Sequence, residues 1–352
     1  MRTSPLAAAL VLVACGPQPE PAPPPAPAAS PPATASTEAP AAEPAAPAPT
    51  PQEVERQKAE AAAQQKLAQL EVEAQAERAR WTPELRAGVT RLAETRWASA
   101  QEGLAAALRS EHRLPGHAER DAHRHPVETM AFLGLRPDSV VMEVGGGDGW
   151  YTELLAPLLA KRGKLVVTAL DPSGPEMAPG TYYGRRFQHY IAKSTELSGK
   201  VEVVIVDPKD LRLGHEGQID LAFAFREMHN WHRRGRRVQH NLAQVFAALK
   251  PGGTFGVVQH RAPESASPDE SAERGYLPEA WVIEQAKAVG FRFVGKSEVN
   301  ANPKDTKDHP DGVWSLPPVL RSGDQDRERF MAIGESDRMT LRFEKPKLAG
   351  KE

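Results

Sequence analysis

The sequence predicts an α/β fold, a doubly wound and mostly parallel sheet of seven strands preceded by a helical stalk. Three observations predict it. Short β-branched runs alternate with helix-period segments from residue 113 onward. A glycine-rich turn follows the first of these runs, where a strand passes into a helix. Ahead of both, Gln52 to Arg80 is dominated by Ala, Glu, Gln, Lys and Arg and holds no Gly or Pro, a strong helix-forming composition.

The elements follow in chain order. Arg2 gives a positive start, and Pro5 to Ala14 is an apolar run too short to span a bilayer but suited to a signal peptide. Leu12-Val13-Ala14-Cys15 resembles the lipobox of bacterial lipoproteins, in which the cysteine is lipidated. Cys15 is the sole cysteine, so no intramolecular disulfide can form. Residues 1–15 are therefore expected to be a lipoprotein signal and 16–51 a disordered Pro/Ala linker of polyproline character. Residues 52–112 are expected to form a solvated helical stalk and a leading helix. Thr82-Pro83 reads as its helix start, and Leu85, Val89, Leu92, Leu104 and Leu108 mark its apolar stripe.

The globular domain is expected over 113–346, with a short tail at 347–352. Its strands are predicted at 139–144, 164–170, 201–206, 219–225, 254–259, 291–299 and 339–343. Helices are predicted at 150–160, 236–249 and 278–289. All six Trp lie beyond residue 80, consistent with a C-terminal core. The net charge of −2 offers no global basic field for nucleic acid.

The most informative stretch lies between the first strand and its helix: Glu143, Gly145, Gly147 and Gly149. Such a turn lets ligand and backbone approach closely beside a helix N-terminus. A dinucleotide fingerprint requires a final glycine where Trp150 stands, so that reading fails. The spacing acidic-x-G-x-G-x-G resembles instead the motif of class I S-adenosylmethionine-dependent methyltransferases. Asp171 ends the second strand, where an acidic side chain accepts from ribose hydroxyls, and Asp207 ends the third, where the resemblance implies a residue near the adenine amino group.

The resemblance extends further. His123 to Pro126, the glycine loop through Glu153, His229-Asn230-Trp231, Lys250 to Gly253, His260-Arg261, Asn300 to Pro310 and Gly334 to Phe343 resemble a bacterial family of predicted methyltransferases of that superfamily. The match runs from about residue 110 to 346. It implies a Rossmann-like sheet of the class I methyltransferase type, with the sixth strand parallel and the seventh antiparallel. It also implies S-adenosyl-L-methionine as cofactor, with Glu143, Gly145, Gly147, Gly149, Asp171 and Asp207 as its binding residues.

Catalytic candidates stand at the ends of strands four and five: His229 or His260 as general base, and Asn230 to orient a substrate. Trp231 and Arg261 are expected to contact substrate. The connection after the sixth strand begins on the ligand edge, so Asn302, Lys304, Asp305 and His309 are expected to form a lid. No metal is expected, since neither a Cys set nor an H-E-x-x-H helix is present.

Taken together, these readings give a methyltransferase anchored to the cell envelope and facing the periplasm. Export is set against a cofactor made in the cytoplasm: either the cofactor reaches the envelope, or the Cys15 signal is misread, or the domain is repurposed. The acceptor, a small molecule or a protein, and the oligomeric state are left open. The alternative is a non-catalytic, periplasm-facing lipoprotein that uses the same fold to bind a small ligand or partner.

Overall fold

The computed structural model describes residues 50–347, so Cys15, the lipobox and nearly all of the linker lie outside the described residues. Three helices come first: α1 (Pro51–Arg80), α2 (Pro83–Glu94) and α3 (Ala100–Leu108). Thr50 and Glu53 cap α1 reciprocally: the Thr50 N–H donates to Glu53 Oε2 at 2.6 Å and the Glu53 N–H to Thr50 Oγ1 at 3.3 Å. The helix thus starts at Pro51, inside the stretch read as linker. Nor is α1 solvated throughout. Leu67, Leu70 and Ala74 are buried, and Glu71 and Glu77 meet His189 at 2.7 Å and Lys193 at 3.3 Å. These apolar positions, three and four apart, form a docking stripe that the poor heptad of Val54, Ala61 and Ala68 concealed.

Thr82 caps α2 by accepting from the Leu85 N–H at 3.2 Å, with Pro83 at the first turn. Short helices α4 (Asp121–Arg124) and α5 (Pro126–Leu133) lead into strand β1 (Val140–Val144). The chain continues through α6 (Thr152–Leu159), β2 (Lys164–Leu170), α7 (Pro179–Ala192), α8 (Thr195–Ser198), β3 (Val201–Val206) and β4 (Ile219–Phe225). It then forms α9 (Met228–Arg233), α10 (Val238–Ala248), β5 (Leu249–Ala262), α11 (Pro268–Glu273), the two-residue β6 (Leu277–Pro278) and α12 (Glu279–Val289). Strand β7 (Arg292–Ser297), α13 (Arg327–Ile333) and β8 (Arg338–Glu344) complete it.

The main sheet runs β3-β2-β1-β4-β5-β8-β7, with β6 beside the end of β5. β8 is antiparallel to both β5 and β7, so β7 runs with the parallel set, as expected for the last two strands. Alternation along the strands feeds two apolar layers. Val141 and Val167 join Val89, Leu104, Leu154 and Phe187 on one face. Met142 and Val166 join Leu242, Val245, Val282 and Ala286 on the other. The sheet is therefore doubly wound, with helices on both faces. β5 is longer than predicted because Leu249 already pairs with Ile219 before an irregularity leads to the Leu221–Thr254 pair.

The order decides where a ligand can sit. β1 lies between β2 and β4, so connections from its neighbours leave toward opposite faces and a crevice opens at the carboxyl ends of β1 and β4. Among the described residues no helix is long and apolar enough to cross a membrane.

Candidate functional site

The loop after β1 is built by glycine. Gly145, Gly147 and Gly149 adopt φ of +84°, +56° and +81°. At Gly149 a Cβ would meet the Tyr190 ring at 2.7 Å, so the turn must be bare on its packed side. At Gly147 the nearest atom to a Cβ would be the Gly145 carbonyl oxygen at 4.0 Å, so backbone there faces open space. Thr168 of β2 fixes the loop: its Oγ1 accepts from the Gly145 N–H at 2.8 Å and its carbonyl accepts from the Gly146 N–H at 3.0 Å.

This loop forms one wall of a cavity of about 430 Å³ at the switch point. Glu143, Thr168, Leu170, Val206 and Pro208 line the half near β1–β3, while Arg226, His229, Asn230, His260 and Trp314 line the half near β4 and β5. Such a volume lies within the range of small-molecule sites, roughly 300–1,000 Å³.

Glu143 is 4% exposed. Its Oε2 accepts from Thr152 Oγ1 at 2.7 Å, yet burial pushes its carboxyl up to about 8. Asp148 is held well below its ordinary value; although its own burial opposes this, His117, Arg120 and Arg186 surround it, with Arg120 donating at 2.8 Å. Asp171 and Asp207 stand at their expected strand ends but at the rim. Both are exposed, and each accepts a backbone N–H in its own turn, from Ser173 at 2.8 Å and from Lys209 at 2.7 Å. Their neighbours Leu170, Val206 and Pro208 line the cavity.

His229 and His260 come together, ring centroids 5.6 Å apart. Gln259 fixes a tautomer. Its Nε2 donates to the Gly275 carbonyl at 2.9 Å, which leaves its Oε1 to accept from His229 Nδ1 at 3.3 Å. The proton of neutral His229 then sits on Nδ1 and the lone pair on Nε2. Burial pulls His229 down to about 3. His260, bonded through Nδ1 to Ser336 Oγ, lies well below its ordinary value through burial and its neighbours His229 and Arg226. Asn230 and Trp231 also line the cavity.

The remaining candidates do not reach it. Arg261 is held by Asp337, Glu279 and Glu298 at 2.9, 3.2 and 2.7 Å. Asn302 Nδ2 donates to the carbonyls of Ile333 and Glu335, and Lys304 Nζ to that of Ala332. Buried Asp305 accepts from Tyr276 Oη at 3.1 Å, His309 Nε2 at 2.9 Å and the Asp337 N–H at 2.8 Å. These side chains hold the connection to the domain. The parts of the connection that line the cavity are 313–321, through Val313, Trp314, Val319 and Arg321, and Glu335-Ser336 just ahead of β8.

Sequence reasoning missed a cluster of arginines. Arg226, the residue after β4, has φ of +61°, a conformation rare for a side-chain-bearing residue. Behind it, Arg124 Nε and Arg338 Nη1 donate to Glu335 at 3.1 and 2.9 Å. Arg124 lies over the Trp150 ring at 4.7 Å. Glu335 is held down to about 2; although burial opposes this, the charges of Arg124 and Arg338 dominate. Burial and the charge of Arg124 pull Arg226 down to about 10. Arg124 and Glu335–Arg338 lay inside the motifs at 123–126 and 334–343, which was the available signal. Among the described residues no group of three or more His, Cys, Asp or Glu is placed to hold a metal ion.

No family model matches the chain, and no curated protein matches it. Solved structures do resemble it. A SAM dependent methyltransferase from Aquifex aeolicus is 16% identical, covering 64% of this chain and 93% of that one with a TM-score of 0.42. The cyclase SpnF is 16% identical, covering 68% and 86% with a TM-score of 0.44. A geranyl diphosphate methyltransferase in complex with SAM is 12% identical, covering 68% and 94% with a TM-score of 0.41.

Proposed function

We propose that the chain is an S-adenosylmethionine-dependent methyltransferase, tethered to the bacterial cell envelope through Cys15. The observation that carries the catalytic reading is the cavity at the switch point, walled by a glycine loop whose Gly147 backbone faces open space, with Glu143 inside it. The residues fit the cofactor. The Gly145–Gly147 backbone can approach the adenosyl amino acid, and the Glu143 carboxyl can accept from its ammonium group. Asp171 and Asp207, at the rim, can accept from the ribose hydroxyls and the adenine amino group.

When bound, the cofactor would supply a methyl group whose bond to sulfur breaks, its electron pair staying on sulfur, as the acceptor atom bonds to carbon. The protein's part is to hold that acceptor in line within the β4–β5 half. Asn230 and Trp314 orient it there, and the free Nε2 of His229 can receive a hydrogen bond or proton from it.

One observation favours a second reading, a non-catalytic ligand-binding lipoprotein: both histidines are poor bases, pulled down by burial. Calorimetry of the full-length chain with S-adenosylhomocysteine tests the cofactor site, and turnover with labelled S-adenosylmethionine separates enzyme from binding protein. Absence of binding removes the methyltransferase reading. Palmitate labelling that survives Cys15→Ser removes the anchor.

A further inference from the structure

The ionisable groups differ between the two halves of the cavity. Near β1 and β2 they are Glu143, whose carboxyl burial pushes up to about 8, and Asp148, already ringed by His117, Arg120 and Arg186. Near β4 and the 313–321 segment the lining is basic. Arg226 lines that half directly, and Arg233 and Arg321 flank Trp314 at 5.1 and 4.8 Å from its ring. Glu227 also lines the cavity, but it turns toward the loop, where a Cβ on Gly145 would meet its carboxyl at 3.0 Å, and burial pushes that carboxyl up to about 7 against the pull of Arg234 and Arg226.

Behind Arg226 the imbalance deepens. Arg124 and Arg338 are 1% and 2% exposed, and both spend their ion pairs on the single carboxylate of Glu335. Among the described residues no carboxylate forms a salt bridge with Arg226. Three guanidinium groups therefore share one carboxylate. Arg124 Nη1 and Arg338 Nε, both buried, have no hydrogen-bond partner. Buried charge in such excess is costly unless a counter-charge meets it. The left-handed backbone of Arg226 holds this side chain at the strand end, as strained residues often do at ligand sites.

We propose that the basic half of the cavity binds a small anionic molecule, its carboxylate or phosphate group received by the Arg226 guanidinium with Arg124 and Arg338 behind it. This rests on the methyltransferase reading in one respect: there, the anion is the methyl acceptor. The planar guanidinium offers paired N–H donors to two oxygens of one acid group. The group would lie beside His229 and Trp314, so the accepting atom is carried on the part of the molecule that reaches toward the glycine loop.

The test is titration calorimetry on the full-length chain with malonate and with inorganic phosphate, each with and without saturating S-adenosylhomocysteine. Arg226→Gln should weaken binding of at least one anion by about tenfold or more and Arg226→Lys by less. Arg321→Gln, beside Trp314 and outside the ion pairs of the buried cluster, should weaken it by a smaller factor. Affinity for S-adenosylhomocysteine should be unchanged in all three. Anion binding that is undetectable in the parent chain, or equal in parent and Arg226→Gln, overturns the proposal. So does a loss of S-adenosylhomocysteine affinity in Arg226→Gln with 5′-methylthioadenosine affinity intact, since the guanidinium then serves the amino-acid tail of the cofactor. If the parent chain binds anions through Arg226 but not S-adenosylhomocysteine, the anion site stands and the methyltransferase reading falls.

Discussion

Replacing Glu143 by Gln should stabilise the protein, and by an amount that grows with pH. The side chain is 4% exposed, and burial raises its carboxyl from 4.5 to about 8. That displacement corresponds to about 5 kcal/mol between the two protonation states. Because the folded value is the raised one, the folded protein binds more protons than the unfolded chain between 4.5 and about 8. Stability is therefore full below 4.5 and is lost progressively as pH rises through about 8. Glutamine has no proton to lose, and its side-chain carbonyl can still accept from Thr152 Oγ1. Relative to the parent, Glu143→Gln should gain almost nothing at pH 4, about 3 kcal/mol at pH 7 and about 5 kcal/mol at pH 9. Urea unfolding at these three pH values measures the difference. A gain that is flat with pH would mean that Glu143 ionises freely in the folded state, and the account of its burial would be wrong. In the same variant, affinity for S-adenosylhomocysteine should fall, because the carboxylate proposed to meet the ammonium group is gone.

Glu335→Gln leaves Arg124 and Arg338 without their carboxylate and should cost about 3–5 kcal/mol in urea unfolding; a loss below about 1 kcal/mol would contradict the geometry. Asp305→Ala removes the shared acceptor of Tyr276, His309 and Asp337, so it should destabilise by about 2–4 kcal/mol while S-adenosylhomocysteine affinity measured below the melting transition is retained. A selective loss of affinity with unchanged stability would restore Asp305 to the ligand site.

The strands were legible because apolar β-branched runs such as Val201–Val206 and Ile219–Phe225 have no other comfortable setting than a sheet. The glycine loop was legible because left-handed backbone at Gly145, Gly147 and Gly149 demands the residue that writes it. The connection after β7 was misread for a physical reason. Its Asn, Asp and Lys residues looked available for ligand, but short polar side chains in a long loop are consumed by the loop's own backbone, as Asn302 and Asp305 are. The apolar Val313 and Val319, with Trp314, reach the cavity instead. Arg226 was invisible for a different reason. A charge just past a strand ordinarily reaches solvent, and only the fold shows Arg124 and Arg338 converging behind it from segments more than a hundred residues away on either side.

These arginines bear on the histidine beside them. Burial is the largest reason His229 is pulled down to about 3, and the charges of Arg233, Arg234 and Arg226 add to it. In that state Nε2 can accept a hydrogen bond but holds a proton poorly. An anion bound at Arg226 would neutralise part of the repulsion, so the imidazole should take a proton more readily when the anion is present. On this proposal ligand charge and basicity are coupled: an anion bound at Arg226 would also raise the basicity of the His229 beside it. The Cε1 proton resonance of His229, followed from pH 7 downward with and without malonate, reads this directly. Its midpoint should move up in malonate and should not move in Arg226→Gln. A folded value below the ordinary 6.5 means stability present above 6.5 and lost as pH falls toward about 3, so the anion should protect the fold most on the acid side. A midpoint unmoved by malonate, in a protein that binds it, would separate the anion from His229 and leave Nε2 without a role in proton transfer.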